Sequence, residues 1–280
     1  MASVAAERDL GRGGTASRPR VAALLGRGPG RAIARLLAPA ILVAAWWIAS
    51  ANSTSPYLPP LSESLSAGWH TWTSSAFLTD AVPSLVHLGV GLLVASAIGV
   101  ALGVVLGRLR LLGEVIWPEL EGARATPAVA LVPAAIVLFG IGAWTQIVII
   151  ATATVWPILL NTIDGVRAVD PLVEDVMTSY RIRPVDRVFR VILPAAGPQI
   201  MAGVNTAIAI GVVMIVFSEM QGATDGIGYM LLQQQRSYDI AGMWGTIIFF
   251  GLLGFTLNWL FQRFERRVVR WHYAQRARRP

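Results

Sequence analysis

Apolar residues gather in five blocks along the chain, at residues 36–51, 82–107, 125–163, 199–217 and 240–261. Polar or Gly/Pro-rich segments separate them. A membrane-crossing helix needs about 20 apolar residues. The first block falls slightly short, and Ile33 and Ala34 extend it. Its rival reading is a cleaved signal peptide, because Ala49-Ser50-Ala51 fits a small-x-small cleavage site. The third block carries no formal charge. As one helix it would be about 58 Å long, roughly twice the hydrocarbon core. It therefore turns back, and Gly140-Ile141-Gly142 is the breaker near its middle. Spans at about 120–139 and 143–161 result, with Pro127, Pro133 and Pro157 expected to kink them. The expected fold is all-α: a polytopic membrane protein with about six transmembrane helices within residues 32–262. A disordered basic tail, 1–31, precedes it and a basic tail, 263–280, follows.

Residues 52–80 read as an external loop with a short interfacial helix near Leu61–Trp72. Residues 218–239 read as a second external loop. The external segments hold one arginine, Arg236, whereas the predicted internal loops and tails hold nearly all the others. That asymmetry follows the positive-inside pattern and puts both termini in the cytoplasm. Gly91, Ala95, Gly99, Gly103 and Gly107 recur every fourth residue in the second span, and Gly203, Ala207 and Gly211 do so in the fifth. On a helix each set forms one face of small side chains, suited to close helix packing in lipid.

The polar stretch between the fourth and fifth spans, residues 169–194, stands out. It holds Asp170, Glu174, Asp175 and Asp186 against Arg181, Arg183, Arg187 and Arg190. Two short amphipathic helices are expected, hinged at Arg181–Pro184, with Leu193-Pro194 opening the next apolar block. Pro171 suits a first helical turn, with Asp170 as its N-cap. Glu174 and Asp175 complement the helix dipole. The even charge balance favours a protein cleft over an anionic bilayer as the surface it meets.

Composition narrows the chemistry. The chain has 280 residues, 55% of them hydrophobic and 14% charged, against about 25% charged in soluble domains. It has no cysteine, and all of its basic side chains other than histidine are arginine. Without lysine it cannot form a Walker phosphate loop. The net charge of +7 reflects arginines flanking apolar segments rather than nucleic-acid binding. His70, His87 and His272 are far apart in the topology and form no catalytic or metal-ligating set. The spans hold almost no ionisable residues, which argues against a self-contained proton- or sodium-coupled carrier. Gln146, Asn205, Met214 and Glu219 interrupt apolar spans or stand near their outer ends, and are the candidates for lining a solute path.

Counted back from Leu193-Pro194, the polar stretch resembles the cytoplasmic motif E-A-A-x3-G-x9-I-x-L-P of the membrane subunits of ATP-binding-cassette importers. Asp175 stands for the glutamate, Val176 and Met177 for the alanines, Arg181 for the glycine and Val191 for the isoleucine. Ser179-Tyr180, Phe139-Gly140-Ile141-Gly142, Gly226-Ile227-Gly228-Tyr229 and the terminal Arg266–His272 resemble the nitrate/sulfonate/taurine branch of these permeases. The resemblance implies a type I importer permease in the plasma membrane, paired with a second permease copy. Its partners would be a cytoplasmic ATPase dimer, which keeps ATP and Mg, and an extracytoplasmic solute-binding protein. It implies no catalysis and no bound cofactor in this chain. Pro171, Glu174, Asp175, Met177, Ser179, Tyr180, Arg181, Arg183, Pro184, Leu193 and Pro194 would then couple it to the ATPases. The solute implied is a small anion of the sulfonate, nitrate or taurine type, with an aromatic carboxylate or thiamine precursor as alternatives. A secondary carrier or channel without an ATPase, and a membrane scaffold, are the competing classes. At Arg181, where the motif has glycine, a left-handed residue costs roughly 1–2 kcal/mol. The expectation is therefore a right-handed Arg181, with Arg183, extended before Pro184, making the turn.

Overall fold

The computed structural model describes residues 29–270, with side chains from residue 37. Residues 1–28 and 271–280, which hold most of both expected tails, lie outside the described residues. The chain divides into two compact units, 1–62 and 63–280. In the first, helix α1 (Pro29–Ser50) carries the first apolar block, and the Ser50 hydroxyl accepts the Leu61 N–H at 3.1 Å.

In the second unit, α2 (Leu61–Trp72) is the expected interfacial helix. A π turn at Phe77–Ala81 leads into α3 (Val82–Arg108), the second apolar block. Next come α4 (Arg110–Ala125), a 3-10 turn, α5 (Val132–Phe139) and α6 (Ala143–Arg167). The hairpin turn falls at Gly140-Ile141-Gly142, as its two glycines allow. Both have positive φ, 78° and 131°, which glycine adopts without a Cβ penalty. The third span is distorted at Pro127, as expected, but more sharply than a kink: α4 and α5 are bent by 78° across the break before Ala128. Pro127 has no N–H to continue the ladder, and it forces Thr126 out of helical geometry, to ψ 120°.

After α6 come α7 (Pro171–Ser179), α8 (Pro184–Arg187) and α9 (Leu193–Gly222). The expected second hairpin helix is not separate. A π turn at Val188–Ile192 joins α8 to α9 without a break. The Leu193 N–H reaches the Val188 carbonyl just before the ring of Pro194, which has no donor of its own. The fifth span thus begins at Pro184, much earlier than the apolar block. Helices α10 (Ile227–Arg236) and α11 (Ile240–Val268) complete the fold. Among the described residues four helices are long and apolar enough to cross a membrane, or five if the bent α4–α5 pair is counted as one span. The described apolar part of α1, Leu37–Ser50, is shorter than a span.

Helix α6 is the axis of the second unit, held between α3 and α9. Both small-residue faces turn toward it. A Cβ on Gly103 would stand 2.5 Å from Thr162 Cβ, and one on Gly107 would stand 2.8 Å from Val166 Cβ. On the other side, a Cβ on Gly203 would stand 2.8 Å from the Pro157 carbonyl oxygen. Backbones this close maximise dispersion contacts, the main force left between helices in lipid. The hydroxyls of Thr154 and Thr162 donate back to the Ile150 and Ile158 carbonyls of α6 itself, so they are buried satisfied.

Candidate functional site

Helix α7 starts as its sequence dictates. The Asp170 carboxylate accepts the Leu172 N–H at 2.9 Å, and Pro171 occupies the first turn. Its end corrects the expectation for Arg181, whose φ is +50°. The Arg181 N–H donates to the Thr178 carbonyl and the Ile182 N–H to the Met177 carbonyl, each at 3.0 Å. This pair is a Schellman cap, which needs a left-handed residue at this point. Two backbone hydrogen bonds, and the ties described next, outweigh the modest strain of a non-glycine. Arg183 is extended, with φ −60° and ψ 143°, as Pro184 requires.

Arg187 closes the hairpin. Its Nε donates to the Ile182 carbonyl at 2.7 Å, Nη2 to the Met177 carbonyl at 3.2 Å, and Nη1 to Thr178 Oγ1 at 3.3 Å. One guanidinium in the first turn of the fifth span thus ties together the last turn of α7, at Met177 and Thr178, and the following turn at Ile182. On the other side, the Arg108 guanidinium at the end of α3 pairs with the Glu174 carboxylate. Met177 is buried, whereas Asp175 and Ser179 are exposed. Arg183 and Arg190 both pair with Asp186, at 3.2 and 3.1 Å. These two pairs are largely in solvent and contribute little to stability. The outer surface of α7 keeps apolar side chains in the open: Leu172, Val173, Val176 and Tyr180, with Tyr180 79% exposed. Leu172, Val176 and Tyr180 follow at four-residue intervals, so they form one stripe.

At the opposite end of the spans lies a second constellation. Three successive N–H groups at the start of α10 each meet a different side chain. Gly226 donates to Asp80 Oδ1 at 3.2 Å, Ile227 to Ser84 Oγ at 2.9 Å, and Gly228 to Glu219 Oε2 at 2.8 Å. The Ser84 hydroxyl in turn donates to Glu219 Oε1 at 2.6 Å. Two carboxylates therefore face a helix N-terminus, where backbone donors are unpaired and the dipole favours negative charge. Glycine is required at 226: φ is +108°, and a Cβ would lie 2.4 Å from Glu219 Cδ.

The path candidates are not brought together into one cluster. Glu219 is buried in the α10 cap just described, and Met214 is buried against α3 and α6 in the apolar core. Gln146 is wholly buried in α6, and neither of its amide atoms has a hydrogen-bond partner. Asn205 is partly buried, with Oδ1 unpartnered. Sequence reasoning missed Asp80, Ser84 and the role of Arg187. Asp80 and Ser84 are one helical turn apart, yet their partners lie more than 130 residues away. Arg187 carried a local signal: a cation shortly after a helix C-terminus.

Comparison with known proteins finds this fold elsewhere. A solved structure of the MetNI methionine ABC transporter, in an inward-facing crystal form, contains a chain with the same fold. The TM-score is 0.59 at 19% identity, covering 69% of this chain and 96% of that one. The putative aliphatic sulfonates transport permease protein SsuC of Bacillus subtilis (strain 168) is 27% identical over 188 residues, 67% of this chain and 68% of its own. The formylaminopyrimidine transport permease protein ThiX of Halalkalibacterium halodurans is 23% identical over 235 residues, 84% and 94% of the two chains. The family model for the inner membrane component of binding-protein-dependent transport systems matches residues 95–270, from the middle of α3 through α11. The chain is a permease subunit and belongs to the family of binding-protein-dependent transport system inner membrane components.

Proposed function

We propose that α7 is the element through which an ATP-hydrolysing partner drives this permease, and that the solute is a small oxyanion of the sulfonate type. The carrying observation is the exposed apolar stripe Leu172, Val176 and Tyr180 on a helix that is itself fastened to two spans. Exposed apolar side chains on a short helix beyond the spans favour a protein groove. The fastening gives that contact mechanical meaning. Arg187 ties the end of α7 to the fifth span, and Arg108 ties its middle to α3. Because the π turn leaves no break between α8 and α9, a displacement of α7 moves the fifth span as a lever.

Residues 169–194 are then the coupling segment of a six-helix domain, 32–262. Asp175 and Ser179, both exposed, are available to the partner beside the stripe. ATP and Mg belong to the ATPase dimer: this chain has no lysine for a phosphate loop. Both termini lie on the cytoplasmic side with α7, as the arginine distribution supports. A second copy of the permease completes the path, and an external solute-binding protein delivers the solute at the opposite end. The sulfonate assignment follows the name of the relative SsuC. ThiX sets the alternative, a formylaminopyrimidine.

Co-expression with the ATPase subunits tests this reading. Val176→Asp should abolish co-purification and solute uptake while the permease still inserts and folds. Retained uptake with this variant, or uptake without any ATPase, would favour an independent carrier. A thermal-shift screen of the solute-binding protein with alkanesulfonates and formylaminopyrimidine decides between the solutes.

A further inference from the structure

A polar cavity of about 370 Å³ opens where α3 and α6 end and α7 begins, lined in part by Arg108, Arg110, Arg167, Pro171 and Glu174. The lining carries three cations and one anion. Glu174 is taken by Arg108, while Arg110 and Arg167 face no carboxylate within ion-pair distance among the described residues. Arg167 makes one long hydrogen bond, Nη2 to the Leu106 carbonyl at 3.4 Å. Asp170 and Asp164 do not line the cavity, and the Asp170 carboxylate is engaged in capping α7. The cavity therefore holds uncompensated positive charge at the depth where two apolar spans stop. Beside it, the start of α4 exposes Leu109, Leu111 and Val115, at 55%, 76% and 64%.

We propose that this cavity binds a phosphate-bearing anionic group, with Arg110 and Arg167 as its ligands and a lipid headgroup of the adjoining leaflet as its source. Guanidinium forks match phosphate oxygens bidentately. Basic pockets between spans at a membrane face suit anionic headgroups. The exposed leucines and valine of α4 give the acyl chains an apolar surface beside the phosphate. A bound headgroup bridges the start of α4 and the end of α6 beside the start of α7, and so stiffens the base of the hairpin. The binding itself does not depend on what docks on α7.

The full chain is reconstituted into nanodiscs of phosphatidylcholine alone or of phosphatidylcholine with phosphatidylglycerol. Thermal unfolding is recorded, and retained lipid is identified by native mass spectrometry after detergent extraction. The native chain should melt higher with phosphatidylglycerol and retain it. Arg110→Gln and the double variant Arg110→Gln/Arg167→Gln should lose both effects. Arg110→Lys should keep part of them, and Arg236→Gln, at the other end of the spans, all of them. Inorganic phosphate added to phosphatidylcholine discs separates the sources: an arginine-dependent rise with phosphate but none with phosphatidylglycerol would keep the phosphate site and assign it to a free anion. No rise with either, or a rise that persists in Arg110→Gln, overturns the proposal.

Discussion

The Arg187 guanidinium donates to the Met177 carbonyl across a turn of left-handed Arg181, joining the last turn of α7 to the first turn of the fifth span. Hydrogen bonds from a charged donor contribute about 1.5–3 kcal/mol. Arg187→Met should therefore loosen the hairpin, with faster hydrogen exchange at residues 177–187 and reduced uptake. Arg187→Lys cannot reach three acceptors with a fork and should recover only part. Unchanged exchange in Arg187→Met would show that the backbone cap holds the turn alone.

Arg181 carries the strain of that turn. Arg181→Gly removes the Cβ conflict and should stabilise the protein by about 1 kcal/mol. Arg181→Val, β-branched at φ +50°, should destabilise it by a similar amount or more. Melting temperatures of the two variants in the same detergent check the order, and the reverse order would refute the left-handed assignment.

The cap on α10 makes different demands of its members. Glu219→Ala leaves the Gly228 N–H buried without an acceptor, at a cost of about 1–3 kcal/mol. Glu219→Gln keeps one carbonyl oxygen for Gly228, and the Ser84 hydroxyl can turn to the Asp80 carbonyl, 3.0 Å away. Alanine should therefore be clearly worse than glutamine in thermal unfolding and in protease resistance of residues 223–239. Equal behaviour of the two would mean the carboxylate is not part of the cap.

Two glycines of α3 should respond oppositely to alanine. Gly103→Ala drives a Cβ to 2.5 Å from Thr162 and to 3.0 Å from the Leu159 carbonyl oxygen. Overpacking of this kind costs roughly 1–3 kcal/mol. Gly89→Ala meets nothing within 4 Å and gains helix propensity worth about 0.5–1 kcal/mol. A stability assay of the two variants should show a loss for the first and none for the second.

Elements whose causes are local could be read from the residues alone. Block length and uniform apolarity set the long helices, Gly140 and Gly142 set the hairpin, Asp170-Pro171 set the start of α7, and the small-residue periods set which faces of α3 and α9 pack closely. The motif spacing from Leu193-Pro194 marked residue 181 as the turn after α7, and the chain does turn there despite the arginine in the glycine position. Tertiary structure decided the rest, because its causes are non-local. Arg181 is left-handed because the Schellman bonds and Arg187 together outweigh a small backbone penalty, which no local preference could reveal. Pro127 marks locally where the third span breaks, but the 78° size of the bend is a property of the folded chain. Glu219 looked like a polar residue on a path; folding brings Ser84 and Gly228 to its two oxygens and makes it a helix cap. A side chain's partners across 130 residues are fixed by how α3, α6 and α9 pack, and only the folded chain brings them within hydrogen-bond distance.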